Sequence, residues 1–316
     1  MTRQHKKGIS KQSSLLSMTN PVIWVSVVAV LGIVSLLYAN SRQSGSGETV
    51  QLRHIHGLSF SSDGSQLFVP AHDGLLVYEN GGWTVPNLPV HDYMGYSGVD
   101  DGFFSSGHPG PGSNLINPLG LVRSTDGGET IQTLAFAGET DFHLMGVGYE
   151  SHAVYVLNPA QNSRLSVGLH YSVDDGQTWE QSRASGIIGS PIQLAVHPTE
   201  PGTVALATEG GLFLSNDYGD TFTRVGDATP VTAATFDSAG ERLLFGYQSL
   251  SVYELSNGEI SAFQTPSVTG DDAIGYIADN PVSDQIVFAT FERDIYLSQD
   301  KGQSWAVIAE QGLGGS

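Results

Sequence analysis

Past residue 48 the chain alternates short apolar and β-branched runs with clusters of Gly, Pro, Asp and Asn. One unit shows the rule: "IQLAVHP", a turn at "TEPG", "TVALATEGG", then "LFLSNDYGDTFTRV". Runs of this length, bounded by such punctuation, predict strands joined by tight turns rather than helices. The other pattern lies upstream. From Gln12 to Ser41 no side chain is charged, and "PVIWVSVVAVLGIVSLLYA", residues 21–39, is apolar on every side rather than along one stripe. Its length predicts a transmembrane helix.

Basic Arg3, Lys6, Lys7 and Lys11 precede that run with no acid among them, which predicts a cytoplasmic segment over 1–20 and an extracytoplasmic remainder. Cleavage near Ala39, giving a secreted protein, is the alternative; both place the rest of the chain outside the cytoplasm. Residues 40–48, "NSRQSGSGE", form a polar Gly/Ser-rich linker, leaving 49–316 as the folded domain.

A phrase recurs along that domain: "STDGGETI" from Ser124, "SVDDGQTW" from Ser172, "SNDYGDTF" from Ser215 and "SQDKGQSW" from Ser298. The starts are 48, 43 and 83 residues apart. The last interval spans two units, and "VYELSNGEI" and "LVYENGGW" supply worn copies, making six units. A period in the low forties with several strands per unit predicts an all-β, six-bladed β-propeller; seven blades, or five with the first unit as decoration, are the alternatives. Chemically the phrase is a hairpin turn. The Asp carboxylate accepts backbone N–H bonds, Gly supplies a positive φ, and the last residue packs beneath the next sheet.

The phrase resembles the Asp-box, or BNR repeat, of sialidase-like, sortilin-like and photosystem II assembly-factor-like propellers, over roughly residues 49 to 310. The resemblance implies the propeller fold and a structural role for Asp126, Gly128, Asp174, Gly176, Asp217, Gly219, Asp300 and Gly302. It also suggests a protein, peptide or glycan ligand. Sialidase activity is not expected, because the Arg-Ile/Leu-Pro phrase that opens such domains is missing and the arginines fall irregularly. A glycosyl hydrolase-like enzyme would need two facing carboxylates. Asp73, Asp92, Asp100, Asp101, Asp271, Asp272 and Glu292 are available, yet no spacing selects a pair or any other catalytic residue.

All 32 acidic residues follow the apolar run, against eight Arg and one Lys, which makes nucleic acid an unsuitable partner. Cysteine is absent, so disulfides and thiolate metal sites are excluded.

The candidate chemistry is imidazole. His54 and His56 open the first unit's innermost strand, where strand alternation puts residues two apart on one face. His72 closes the second strand of that unit, His91 and His108 occupy the corresponding ends in the second unit, and His143 opens the third. This predicts a ligand-binding rim of His54, His56, His72, Asp73, His91, Asp92, His108 and His143, opposite the Asp turns, while His152, His170 and His197 face away. Imidazoles, with thioether from Met145, suit a transition metal such as Cu or Zn, held for its own sake or for metal-dependent hydrolysis. A pH-responsive binding surface is the competing expectation.

Overall fold

The computed structural model describes residues 49–315; the basic segment, the apolar run at 21–39 and the tether at 40–48 lie outside the described residues. Within 49–315 there is no helix. Six four-stranded antiparallel sheets, each built from consecutive strands, occupy residues 59–84, 92–135, 145–181, 191–225, 233–262 and 274–309, and are blades 1 to 6. The seven-blade and five-blade alternatives are thereby set aside.

In each blade the first strand is innermost, and neighbouring innermost strands touch around the ring, including those of blades 1 and 6. Both faces of a blade are therefore covered by its neighbours. Central strands accordingly read as unbroken apolar runs rather than as alternation: Val204–Thr208 and Ile286–Thr290 are buried at every position. The described core divides into six clusters, one per blade interface. Phe104, Leu121, Phe142 and Val154 fill the space between blades 2 and 3, for example, and Val69, Trp83, Val287 and Ile308 that between blades 1 and 6.

Ring closure does not borrow a strand from one end to complete a blade. Val50–Gln51 pairs antiparallel with Leu313–Gly314 as a separate two-stranded ladder, extended by Leu52 N–H donating to Gly312 O at 2.7 Å. Beside it the Trp83 indole N–H donates to Ile308 O, also at 2.7 Å, tying blade 1 to blade 6.

The four Ser-x-Asp phrases form the hairpins between third and fourth strands of blades 2, 3, 4 and 6, and all are clasped alike. In blade 4, Ser215 Oγ donates to Asp217 Oδ1 at 2.7 Å and accepts from Gly219 N at 3.0 Å, while Asp217 Oδ1 accepts from Thr221 N at 2.9 Å. Asp126, Asp174 and Asp300 make the same bonds. Gly128, Gly176, Gly219 and Gly302 all take positive φ, which the reversal requires. Blade 1 turns instead through Asn80 and Gly81, both at positive φ, the two-residue hairpin geometry that matches strand twist.

Candidate functional site

The innermost strands enclose a channel of about 370 Å³. His56, Met94, His143 and Gln193 line it near or before the N-terminal ends of those strands; Tyr149, Pro198, Asp237 and Asp279 line it at or beyond their C-terminal ends, the side to which the Asp turns belong. The chemistry of interest gathers at the first end.

Blade 1 presents its histidines by backbone pairing. Ile55 bridges Ala71, His56 N donates to Pro70 O at 2.9 Å, and His72 N donates to Arg53 O at 2.8 Å, so the segment entering the blade is stitched to the end of its second strand. His54 departs from the alternation argument. Its φ of 48° breaks the extended conformation, and its ring lies edge-on to His72, centroids 6.1 Å apart. The blade 2 contribution is Asp92, first residue of Asp92–Val99 and in register with His108.

Asp92 stands between two imidazoles. His72 Nδ1 lies 2.9 Å from its Oδ2 and His56 Nε2 lies 3.3 Å from its Oδ1. The second approach is misdirected for a hydrogen bond, so His56 Nε2 and Asp92 Oδ1 are both buried without a partner. The same device recurs one blade on: Asp141 Oδ2 is 2.6 Å from His143 Nε2 and 3.3 Å from His108 Nε2, while its Oδ1 is buried and unpartnered. In both, an acid at the entry to one blade meets the histidine that ends the second strand of the previous blade. Burial pushes the His56 imidazole below its ordinary value, outweighing the nearby Asp92 carboxylate, and His54, His72 and His143 act in the same direction.

Not every predicted rim residue joins these pairs. His91 is 3% exposed; its Nδ1 accepts from Gly110 N at 3.0 Å and its ring packs edge-on against Tyr93, so it braces the loop after the second strand of blade 2. Asp73 points to Arg53 at 3.5 Å on the exposed surface. Met145 is 6% exposed and packed with Phe142 and Val147 in the core between blades 2 and 3, while bordering the channel as Met94 does. His170 and His197 are buried, His170 Nε2 meeting Ser166 O at 2.9 Å and His197 Nε2 meeting Gly240 O at 2.8 Å.

A second acid and imidazole group lies beyond the C-terminal end of the innermost strand of blade 2. His152 Nε2 is 2.7 Å from Asp100 Oδ1, and Arg123 bonds Asp101, approaches Asp175 at 3.5 Å and lies over the Phe104 ring. Sequence reasoning passed over this group. The Asp100–Asp101 pair is visible in the chain, but nothing local shows that Arg123 and His152 fold onto it.

The carboxylates considered for glycoside hydrolysis are mostly engaged. Asp92, Asp100 and Asp101 are as described, and Asp272 Oδ1 accepts from Ala273 N at 2.8 Å and Glu292 N at 3.0 Å.

The sequence matches no protein-family model and no curated protein. Solved structures do match in fold. The GH74 enzyme of Niastella koreensis superposes with a TM-score of 0.57 at 13% identity, over 84% of this chain and 46% of that one. The GH74 xyloglucanase of Xanthomonas campestris gives 0.53 at 15%, with the same coverage. This chain is a β-propeller. It spans about half the length of those two enzymes. A YCF48 structure bound to D1 peptide aligns at a TM-score of 0.48 and 16% identity, over 84% of this chain and 85% of that one.

Proposed function

We propose that this chain is a membrane-tethered, outward-facing binding module of the Asp-box propeller type. Residues 21–39 anchor it, 40–48 tether it, and the ligand, a segment of protein, a peptide or a glycan, docks where the innermost strands of blades 1 to 3 begin. One observation carries the reading: two carboxylates, Asp92 and Asp141, are each held between two imidazoles at the same end of the channel, with buried polar atoms left unpartnered. Bracing histidines elsewhere, such as His91 and His197, are buried and bond to the backbone. Here His72, His108 and His143 are substantially exposed and stand close to acids, an arrangement that costs stability unless something polar is received there. Hydrolysis of glycosides has only the shared fold in its favour and is not proposed.

The test is a binding array of peptides and oligosaccharides against the full chain in detergent. Hits should weaken by about tenfold or more, roughly 1.4 kcal/mol, in a His56→Ala, His143→Ala double variant and persist in Asp217→Asn on the opposite side. Hits indifferent to the double variant would refute the reading.

A further inference from the structure

We propose that His56, His72 and Asp92 form a binding site for a divalent transition-metal ion of the zinc class, with a coordination position left for an outside ligand. This rests on the binding face proposed above and names the species it receives first.

The first support is geometric. His56 Nε2, His72 Nδ1 and one oxygen of Asp92 all lie within 4.8 Å of one another. An ion takes imidazole nitrogen at about 2.0–2.1 Å and carboxylate oxygen at about 2.0–2.2 Å, so three donors so spaced need only a small inward adjustment. The second is the state of those donors. His56 Nε2 and Asp92 Oδ1 face each other at 3.3 Å without a hydrogen bond and are shut off from solvent. An ion between them satisfies both at once.

The third support is charge. Asp92 has a side chain only 12% exposed, and no Arg or Lys pairs with it among the described residues; Arg53, in the same entry segment as His56, is taken by Asp73. A carboxylate so placed needs a counter-charge, which a bound cation provides. The fourth is rigidity. His56 follows the bridge of Ile55 to Ala71 and donates its N–H to Pro70 O, His72 occupies the tight turn directly after Ala71 with its N–H on Arg53 O, and Asp92 starts a strand, so each donor is fixed by backbone pairing at or beside it.

Two other clusters serve as internal comparisons. The Asp100, Asp101 and His152 group is just as compact, but the Arg123 guanidinium already bonds Asp101 and reaches to 3.5 Å from His152 Nδ1, so its charge is met. Around Asp141 both imidazoles converge on a single carboxylate oxygen. That arrangement suits a hydrogen-bonded anchor better than an ion. Two nitrogens and one oxygen form a borderline donor set that suits Zn(II), and Cu(II) would bind it more tightly by the general order of divalent ions. Because Met145 is buried in the core, the set carries no thioether from it and loses the expected leaning towards Cu(I). Three protein donors leave the fourth position to water or to a donor group of the docked partner, as in open zinc sites.

The experiment is titration of the chelator-stripped full chain in detergent with Co(II), read by its visible absorption, and with Zn(II), read by calorimetry. One ion per chain is expected, with the band intensity of a four- or five-coordinate site. His72→Ala should weaken binding by about tenfold or more. Its side chain is 58% exposed, so the fold is retained, which thermal melting checks. Asp92→Asn should do the same, while His152→Ala, on the opposite side of the ring, leaves affinity unchanged. Absence of stoichiometric Co(II) binding, or binding indifferent to His72→Ala, overturns the metal site. If the array hits still depend on His56 and His143 in that case, the binding face stands without the ion. Loss of both removes the two readings together.

Discussion

At the scale of single residues, the four Asp clasps and the imidazole pairs use the same atoms for opposite ends. Asp126, Asp217 and Asp300 are held down to about 2 because the Thr or Ser four residues on donates to them from both hydroxyl and backbone, with a further bond from the Ser two residues before. A carboxyl depressed in the folded state contributes stability that is complete above its unfolded value, about 3.9, and is lost as the pH falls through about 2. Replacing Asp217 by Asn is therefore expected to flatten the drop in melting temperature between about pH 4 and pH 2. A scanning-calorimetry series across that range decides it, an unchanged acid limb counting against the clasp. His91 yields a second expectation. With Nδ1 occupied by Gly110 N and the ring buried on Tyr93, His91→Ala should cost about 1–3 kcal/mol in urea denaturation and leave Co(II) affinity intact. Nothing in "VHDYMGY" distinguishes that bracing ring from the ligand-like rings of "HIHGL". Ring orientation is fixed by the partner across the strand, and that partner lies in another unit or another loop.

At the scale of elements, the repeat phrase announced hairpins because a clasp that is entirely local, closed within seven residues, leaves its full pattern in the chain. The paired acids were less legible. Asp92 meets His72 and His56 only because the entry to blade 2 lies against the second strand of blade 1, a relation set by packing between sheets. The His54 kink was not legible either, since alternation assumes an extended backbone. Blade 2 also bends within its innermost strand, where register shifts between Met94 and Ser97 at Gly95, whose φ is 51°. A side chain there would strike the Phe142 carbonyl oxygen at the entry to blade 3. Gly95→Ala should thus cost about 1–3 kcal/mol in urea denaturation, from left-handed strain and the collision together. A neutral result would mean that blades 2 and 3 are loosely joined.

At the scale of the whole molecule, six interfaces of similar make share the load, and that between blades 1 and 6 is special because no covalent crossover links those two blades. Six units were countable from spacing alone, since a propeller repeats its apolar runs along with its turns. The closing ladder was not, because two residues at each end carry no pattern. Trp83 sits at this seam, 8% exposed, packed against Tyr78 and bonded to Ile308 O. Its replacement by Ala should cost about 3–5 kcal/mol and lower the melting temperature of the entire ring in one transition. A separate early transition for blade 1 would instead mean that the blades melt independently.

The self-contained blades carry a further consequence. With Gln51 opposite Leu313, the two ends of the ring lie side by side, and no sheet depends on where the backbone starts. The order of synthesis is thus separable from the order in space: a circular permutant joined across that seam and opened between any two other blades would possess all six sheets and the same imidazole-lined mouth.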